Sequence, residues 1–182
     1  FQNFIAEPSD KGGHILKFPK GGIPVGLKGI AGVDYGGNHA HAASFGIITP
    51  RRARNAGAVI VFAEYIKTGV SARGAATDVL EIPPNHLEMS WGGDPSMWSK
   101  EYVSPAERYE EVGIFMQKGA RGDIAFEDLD DALMFSDGLI GQDKAASFYV
   151  FQNCEMTIHT LSTLTWEMVR FGRGKWEVDM GD

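Results

Sequence analysis

Residues 30–37 read Ile30-Ala31-Gly32-Val33-Asp34-Tyr35-Gly36-Gly37, an apolar run that ends in an aspartate and a glycine pair. Asp94 has a similar local setting later in the chain, where it follows Gly92-Gly93. A carboxylate at the end of a buried strand is costly unless it is paired or holds a cation. Adjacent, parallel strands would bring both acids to one edge of a sheet, so the pair indicates a divalent-cation site.

The bulk composition fits one globular domain of 182 residues with a sizeable core. A net charge of −7 lacks the basic footprint typical of nucleic-acid-binding domains, although it leaves room for a local basic patch. The single cysteine, Cys154, excludes an internal disulfide and agrees with a reducing cytosol. Its position at the start of a predicted helix indicates a buried small hydrophobe rather than a catalytic thiol. No membrane span and no signal peptide are visible.

The predicted elements follow the order β-β-β-α-β-α-β-α-β-α. Strands are predicted at about residues 29–35, 43–49, 58–66, 86–92, 112–116 and 148–151. Helices are predicted at about 71–81, from 104, at about 123–134 and from about 153, with N-caps at Ser71 and Ser104 and a capping-box partner at Glu107. Residues 1–28 are rich in Gly, Pro and Lys and are interpreted as a linker or edge segment before a domain at 29–182.

This order predicts an α/β fold in which three antiparallel strands precede strands joined by helices. We expect a mixed sheet of five or six strands with helices on both faces. In such a sheet the fourth strand can lie beside the first and run parallel to it. Asp34 and Asp94 would then share the carboxyl edge, where ligands bind in open α/β sheets.

The chemistry of the acid pair suits Mg²⁺ or Mn²⁺, which prefer hard oxygen ligands. Two such ions about 3.5–4 Å apart can activate a water molecule and stabilise the leaving oxygen in phosphodiester hydrolysis. A third acid would complete the site and should come from late in the chain. The competing interpretation is that Asp34 and Asp94 only cap turns, because D-Y-G and G-D-P are good turn sequences.

Several basic residues are candidates for contacts with a phosphate. His39 follows the first acidic strand and could touch a phosphate or hold a ligand water. Arg51, Arg52 and Arg54 lie in the turn between the second and third strands, and Lys67 ends the third. They could bind a phosphate backbone, although a solvated turn is the alternative. The chain has no zinc-ligand spacing, P-loop or GxGxxG motif.

The segment Gly32-Val33-Asp34-Tyr35-Gly36-Gly37-Asn38-His39-Ala40 resembles the first strand of the nuclease domain of tailed-bacteriophage large terminase subunits. That strand often reads G-x-D-x-G-x-N-H-P, and the chain differs by Ala40 in place of proline. Further similar segments are Glu64-Tyr65-Ile66-Lys67, Gly93-Asp94-Pro95-Ser96 with Ser104-Pro105-Ala106-Glu107-Arg108-Tyr109 and Gly113-Ile114, and Phe151-Gln152-Asn153-Cys154. The likeness spans about residues 30–165, and the order and spacing of the segments carry most of its weight.

The resemblance implies a ribonuclease H-like fold and cleavage of double-stranded DNA during viral genome packaging, with Mg²⁺ or Mn²⁺ in a two-metal site. It implies that Asp34 and Asp94 are metal ligands and that His39 and Lys67 lie near them. In the full subunit an ATPase motor domain precedes the nuclease, and the partners are the phage portal and the small terminase subunit. The resemblance further implies a location in the host cell cytoplasm, with no membrane involved.

The end of the chain departs from the family pattern, in which the third acid lies in a D-D-H-x-x-D-A-like segment. This chain ends at Trp176-Glu177-Val178-Asp179-Met180-Gly181-Asp182. Asp182 could begin that segment, Asp179 could replace the ligand, or the third ligand could lie beyond the last residue. Because the chain also starts without methionine, we expect a fragment of a longer protein.

Two other interpretations remain open. The stretch from Gly32 to Gly37 also resembles the first phosphate loop of actin-like and sugar-kinase ATPases, which need a second D-x-G loop, for which Asp137-Gly138 is a poor candidate. The chain could instead be an inactive ribonuclease H-like docking module in which Asp34 is merely structural. Binding of ATP would support the first interpretation, and the absence of metal binding would support the second.

Overall fold

The computed structural model describes residues 3–36, 39–53, 56–99, 102–120, 123–134 and 146–163. These residues form seven strands and four α-helices. The strands are β1 Ile15–Leu16, β2 Lys28–Asp34, β3 His41–Ile48, β4 Val59–Lys67, β5 Glu88–Gly93, β6 Met116–Lys118 and β7 Phe148–Phe151. The α-helices are α1 Ala72–Leu80, α2 Pro105–Glu110, α3 Asp123–Leu133 and α4 Glu155–Thr163. None of these helices is long and apolar enough to cross a membrane.

The seven strands form one mixed sheet in the order β1-β7-β4-β3-β2-β5-β6. Strands β2, β3 and β4 are antiparallel neighbours, whereas β5 is parallel to β2, β6 to β5, β7 to β4 and β1 to β7. The α/β fold class with three antiparallel strands followed by parallel ones is therefore confirmed. The expected strand number of five or six was too low, because two residues from the segment 1–28 add the edge strand β1, which is too short to show a periodic pattern.

One face of the sheet packs against α1 and α2. Along β2 the residues alternate between exposed and buried, and Ala31 and Val33 point into this core. They share a buried cluster with Phe45 on β3, Val79 on α1 and Tyr109 on α2. The strand could be predicted from the apolar run of residues 30–33, whereas the alternation of buried and exposed positions is visible only in the structure, since Ile30 is apolar and exposed.

The other face of the sheet is covered over β4 and β7 by α3 and α4. Val61 and Val150 form a second cluster with Leu133 of α3 and Leu161 of α4. Cys154 is completely buried in this cluster, as expected. Helices therefore lie on both faces, but no described helix covers this second face over β2, β5 and β6.

Among the described residues, three α-helices have identifiable N-terminal caps. Ser71 accepts a hydrogen bond from the amide of Gly74 at 3.1 Å, and Ser104 with Glu107 forms the predicted capping box. Glu64 of β4 caps α4 from across the fold, because its carboxylate accepts from the amide of Thr157 at 2.9 Å and from that of Met156. This last cap depends on tertiary contact and therefore has no local sequence signature.

Two predicted boundaries were wrong. The strand expected at 112–116 begins at Met116, because Gly113 adopts a φ of 91° and turns the chain after α2. The last helix begins at Glu155, two residues after the predicted start, because its first backbone hydrogen bond runs from the amide of Ile158 to the carbonyl of Cys154.

Candidate functional site

The two aspartates lie side by side at the carboxyl ends of β2 and β5. The last register pair of these parallel strands is Val33 and Gly93, and the amide of Asp94 donates to the carbonyl of Val33 at 2.9 Å. The next pair along is therefore Asp34 and Asp94, on strands about 4.8 Å apart. Since Val33 points into the α1–α2 core, residues one position later point to the opposite face. The two acids thus lie at one shared edge, as the element order predicted.

Asp94 also has a local structural role. Its Oδ1 accepts from the amide of Ser96 at 2.8 Å and from the Ser96 hydroxyl at 2.5 Å. These bonds cap the short 3-10 helix Pro95–Trp98, so Asp94 does have the capping contact that its turn sequence predicted. A carboxylate has two oxygens and about four acceptor sites, so a cap at Oδ1 is compatible with binding a cation.

Both aspartates line an open groove of about 660 Å³ on the second face of the sheet. Its floor is formed by Gly32 and Gly92, which are register partners, with Ser44 paired to Gly32 on the other side. A Cβ atom placed on Gly32 would meet no atom within 4 Å. The floor therefore exposes main chain that a ligand can approach closely.

The donor set is compatible with a hard divalent cation. Two neighbouring carboxylates supply the oxygen ligands that Mg²⁺ and Mn²⁺ prefer, and Mg²⁺ usually completes its shell with water and substrate phosphate. Among the described residues, no group of three or more histidine, cysteine, aspartate or glutamate side chains could hold a metal. Asp179 and Asp182, the candidates for the third ligand, lie outside the described residues.

Lys67 lies at the same edge of the sheet as the acid pair, as expected, but its side chain points to the α1–α2 face, opposite the groove. Lys67 ends β4, which is two strands from β2. Its register partner on β3 is His41, and the next residue of β3, Ala42, is the register partner of Asp34. Its Nζ is 2.9 Å from Oδ2 of Asp78, which also accepts from the hydroxyl of Tyr65 at 2.7 Å. The hydrogen bonds from Lys67 and Tyr65 lower the pKa of Asp78.

The remaining predicted basic residues fall at two different places. His39 is exposed in the β2–β3 connection at the acid edge, and its amide donates to the carbonyl of Gly36 at 2.9 Å. Arg51 and Arg52 are exposed in the β3–β4 turn, beyond the opposite end of β2, about 20 Å from Asp34 along the strand. Arg54 lies outside the described residues. The structure therefore does not bring Arg51 and Arg52 to the acid pair.

A buried aromatic group behind the acid edge was missed by the sequence analysis. His41 is 2% exposed, and its Nε2 is hydrogen-bonded to the hydroxyl of Tyr109. The rings of Tyr35 and Tyr65 lie edge-on to His41 at 5.0 and 5.9 Å between centroids. Burial lowers the pKa of His41 to about 4 and raises that of Tyr109, so both are neutral at pH 7. The inward-facing position of His41 on β3 was the signal that could have identified it.

The His41 ring is buried, but only one of its two nitrogens has a hydrogen-bond partner among the described residues. Within the described part of the chain, Nδ1 of His41 has no hydrogen-bond partner. The group of His41, Tyr35, Tyr65 and Tyr109 joins the ends of β2, β3 and β4 to α2. It therefore packs these strand ends together on the face opposite the groove.

Comparison with solved structures identifies the same fold in phage terminases. The nuclease domain of the P22 large terminase matches with a TM-score of 0.58 and 17% identity, over 81% of this chain and 72% of that one. The large terminase of a thermophilic bacteriophage matches with a TM-score of 0.65 and 16% identity, over 95% of this chain. The chain spans 39% of that thermophilic-phage protein. No family model and no curated protein sequence matches the chain.

Proposed function

We propose that this chain is a divalent-metal-dependent endodeoxyribonuclease domain that cleaves double-stranded DNA during viral genome packaging. The observation that carries the proposal is that Asp34 and Asp94 lie opposite each other, one residue past the last register pair of two neighbouring parallel strands. The fold shared with the P22 nuclease domain and the thermophilic-phage large terminase supports it. The open groove beside the acids gives a substrate access to both carboxylates.

Asp34 and Asp94 would hold Mg²⁺ or Mn²⁺, with Asp179 or Asp182 as candidates for the third ligand. A bound pair of ions would supply Lewis-acid activation of water and stabilisation of the leaving oxygen. The residues of this chain hold the two carboxylates in position. The hydrogen bonds from Ser96 fix Oδ1 of Asp94, and the register of β2 with β5 fixes the separation of the two main chains.

The groove would bind the DNA backbone close to the sheet, because Gly32 and Gly92 place no side chain on its floor. His39 lies at the acid edge and is proposed to contact a phosphate there, whereas the side chain of Lys67 lies beside Asp78 on the face opposite the groove and is not proposed to contact DNA in it. Arg51 and Arg52 would contact DNA only if the duplex extended past the far end of β2. A net charge of −7 means that such contacts must come from local basic groups.

The partners and location follow from the same proposal. We infer an ATPase motor domain in the same polypeptide, docking to a phage portal and small terminase subunit, and a site of action in the host cytoplasm. The matched thermophilic-phage protein is a large terminase of which this chain spans 39%, which is compatible with a nuclease segment of a longer chain.

A catalytically inactive docking module is the second candidate, and one observation favours it. Asp94 already serves as the cap of the 3-10 helix, so this aspartate has a structural reason to be present. Calorimetric titration with Mn²⁺ separates the candidates, since a docking module should give no heat of binding. The ATPase interpretation depends on Asp137-Gly138, which lies outside the described residues.

The direct test is plasmid cleavage by the purified domain with and without Mg²⁺ or Mn²⁺. The wild-type protein should nick or cut only with metal, and Asp34→Asn and Asp94→Asn should each abolish cleavage. Asp10→Asn removes the same charge from an exposed residue near β1, at the other edge of the sheet, and should cut normally. Robust cleavage by Asp34→Asn in EDTA would overturn the proposal.

A further inference from the structure

The groove beside the acid pair has few side chains that can donate a hydrogen bond. Among its described lining residues, those with polar side chains besides the two aspartates are Ser44, Ser90, Gln117 and Lys118. The ammonium group of Lys118 lies 5.4 Å from the centroid of the Trp98 ring, which packs against the core on the α1–α2 face of the sheet. These lining residues therefore place two carboxylates and no cationic side chain in the groove. A phosphate bound there must be held by a cation and by neutral donors.

The side chain of Gln117 projects from the groove face of β6. Successive side chains of a strand point to opposite faces, and the next residue, Lys118, points to the α1–α2 face. The register agrees with this direction, because Gln117 pairs with Gly92, and Gly92 pairs with Gly32. These two glycines form the groove floor, and the acids lie two positions further along the same strands, on the same face.

Gln117 provides the β6 side chain closest to the acid pair on this face. Two residues later comes Gly119, whose amide donates to the carbonyl of Gly93 at 2.8 Å, so Gly119 lies level with Asp94 and carries no side chain. One strand spacing across the sheet and two residues along it separate the Cα atoms of Gln117 and Asp94 by about 8 Å. This separation leaves room for a phosphate group between the glutamine amide and the acids.

The amide group of Gln117 is chemically suited to a phosphate beside two carboxylates. It is exposed, and within the described part of the chain its side chain makes no hydrogen bond. It carries two N–H donors and no charge. A lysine at this position would be attracted to the acids and would compete with a cation for them. A neutral amide can instead donate to a phosphate oxygen and leave both carboxylates to the cation.

We propose that the side-chain amide of Gln117 donates a hydrogen bond to a backbone phosphate of a DNA strand lying on the groove floor. The proposal rests on the proposed function, since it names a substrate contact of the same groove. Gly92 and Gly32 let the sugar-phosphate backbone approach the main chain, with Gln117 on the β6 side of this floor and Ser44 on the β3 side. Three strand spacings, about 14 Å, separate these two side chains at the main chain. The contact positions the strand and carries no sequence information.

The test measures DNA binding and cleavage separately. Plasmid cleavage with Mn²⁺ gives KM and kcat, and fluorescence anisotropy with a labelled duplex oligonucleotide in EDTA gives Kd at several salt concentrations. Gln117→Ala should raise KM and Kd about tenfold, as expected for loss of one hydrogen bond to a charged group. The salt slope should not change, because a neutral side chain releases no counterion, and a slope smaller by about 0.9 would overturn the assignment of a neutral donor.

Two further variants separate a phosphate contact from a change of shape or of distant charge. Gln117→Glu keeps the size of the side chain, and its carboxylate should repel phosphate, so its KM should exceed that of Gln117→Ala. A wild-type KM in Gln117→Glu would overturn the proposal. Lys118→Ala removes a charge from the opposite face, and a larger rise in KM there than in Gln117→Ala would also overturn it.

The matched control is Gln152, an exposed glutamine that directly follows β7 and is not among the residues that line the groove. Strand β7 is three strands from β2, on the side away from β6. Gln152→Ala and Gln152→Glu should bind and cut like the wild type. A rise in KM in Gln152→Ala equal to that in Gln117→Ala would overturn the proposal, because the effect would then not be specific to the groove.

Failure of this contact and failure of the proposed function give different results. Metal-dependent cutting by the wild type, with an unchanged KM in Gln117→Ala, would overturn the contact and leave the nuclease function standing. A fall in kcat with unchanged KM and Kd would do the same, since it would place Gln117 at the reacting atoms rather than beside a phosphate on the floor. A wild type that neither binds nor cuts DNA would reject both.

Discussion

The amide of Asp94 donates to the carbonyl of Val33 at 2.9 Å, and this bond sets the position of the acid pair. It extends the β2–β5 ladder by one residue beyond Gly93, so Asp94 lies next to Asp34. A slip of one residue would turn the side chains of one strand to the other face. The proposed cation site is therefore a consequence of strand register as much as of residue type.

Two groove glycines are expected to respond in opposite ways to alanine. In Gly93→Ala the new Cβ would approach Sδ of Met97 at 3.0 Å and Cη2 of Trp98 at 3.3 Å, so the 3-10 helix must shift. We expect a loss of about 1–3 kcal/mol in the free energy of unfolding and a loss of cleavage. Urea denaturation and plasmid cutting measure the two effects.

Gly32→Ala is the matched substitution, because its Cβ would meet nothing within 4 Å. Its free energy of unfolding should be unchanged or higher by about 0.4–1 kcal/mol, since alanine restricts the unfolded chain. The methyl group would nonetheless rise from the groove floor, so KM for DNA should increase. Destabilisation of Gly32→Ala as large as that of Gly93→Ala would contradict this account of the groove.

The sequence predicted correctly those features that depend on residues close together in the chain. The strand β2 with its apolar run, the cap at Ser71 and the capping box of Ser104 and Glu107 are encoded within a few residues, and each was placed correctly. The adjacency of Asp34 and Asp94 followed from element order. By contrast, the contacts of His41 come from residues distant in sequence, so its alternating position on β3 could mark it as inward-facing but could not show that it meets Tyr109.

The burial of His41 predicts a dependence of stability on pH. Its folded pKa of about 4 lies below the ordinary value of 6.5, so the unfolded state binds more protons between these values. Stability is therefore fully present above pH 6.5 and falls as the pH is lowered towards 4, by about 3 kcal/mol from this group. Urea unfolding at pH 7 and pH 5 measures the change.

His41→Gln should lose part of that pH dependence, because glutamine does not titrate in this range. Burial lowers the pKa of His14 as well, so the variant should retain the His14 contribution. His159 is exposed, and His159→Gln should show the wild-type pH dependence. An identical loss of stability on acidification in His41→Gln and wild type would mean that His41 does not contribute.

Cys154 should be unreactive in the folded protein. Burial, with a smaller effect from Glu64, raises the pKa of its thiol to about 12, and alkylation requires the thiolate. At pH 8 an alkylating reagent should modify the thiol only in urea, as followed by mass spectrometry. Rapid modification of the native protein would show that α4 opens from the sheet under these conditions.

The carboxylate of Glu64 should stabilise α4 more than any acid on the helix itself. It accepts hydrogen bonds from the amide and hydroxyl of Thr157 and from the amide of Met156. Glu64→Ala should cost about 1–2 kcal/mol, as loss of a helix cap usually does, and increase amide exchange in the first turn of α4. Glu155→Ala, at an exposed position of the same turn, should cost less. Equal costs would contradict a capping role for Glu64.

The acid pair predicts how stability depends on bound metal and on the charge of Asp34. Removing the metal should lower the stability of the wild type, whereas removing the charge of Asp34 should not. Two carboxylates on neighbouring strands repel each other, so Asp34→Asn, which keeps an oxygen acceptor, should be as stable as wild type or more stable in EDTA. Mn²⁺ should raise the melting temperature of the wild type, by an amount equivalent to about 2.7 kcal/mol at one hundred times Kd. The variant should gain little, because it has lost a ligand. If Asp34→Asn were clearly destabilised in EDTA and the wild type ignored Mn²⁺, Asp34 would be a structural residue and the docking-module interpretation would be favoured.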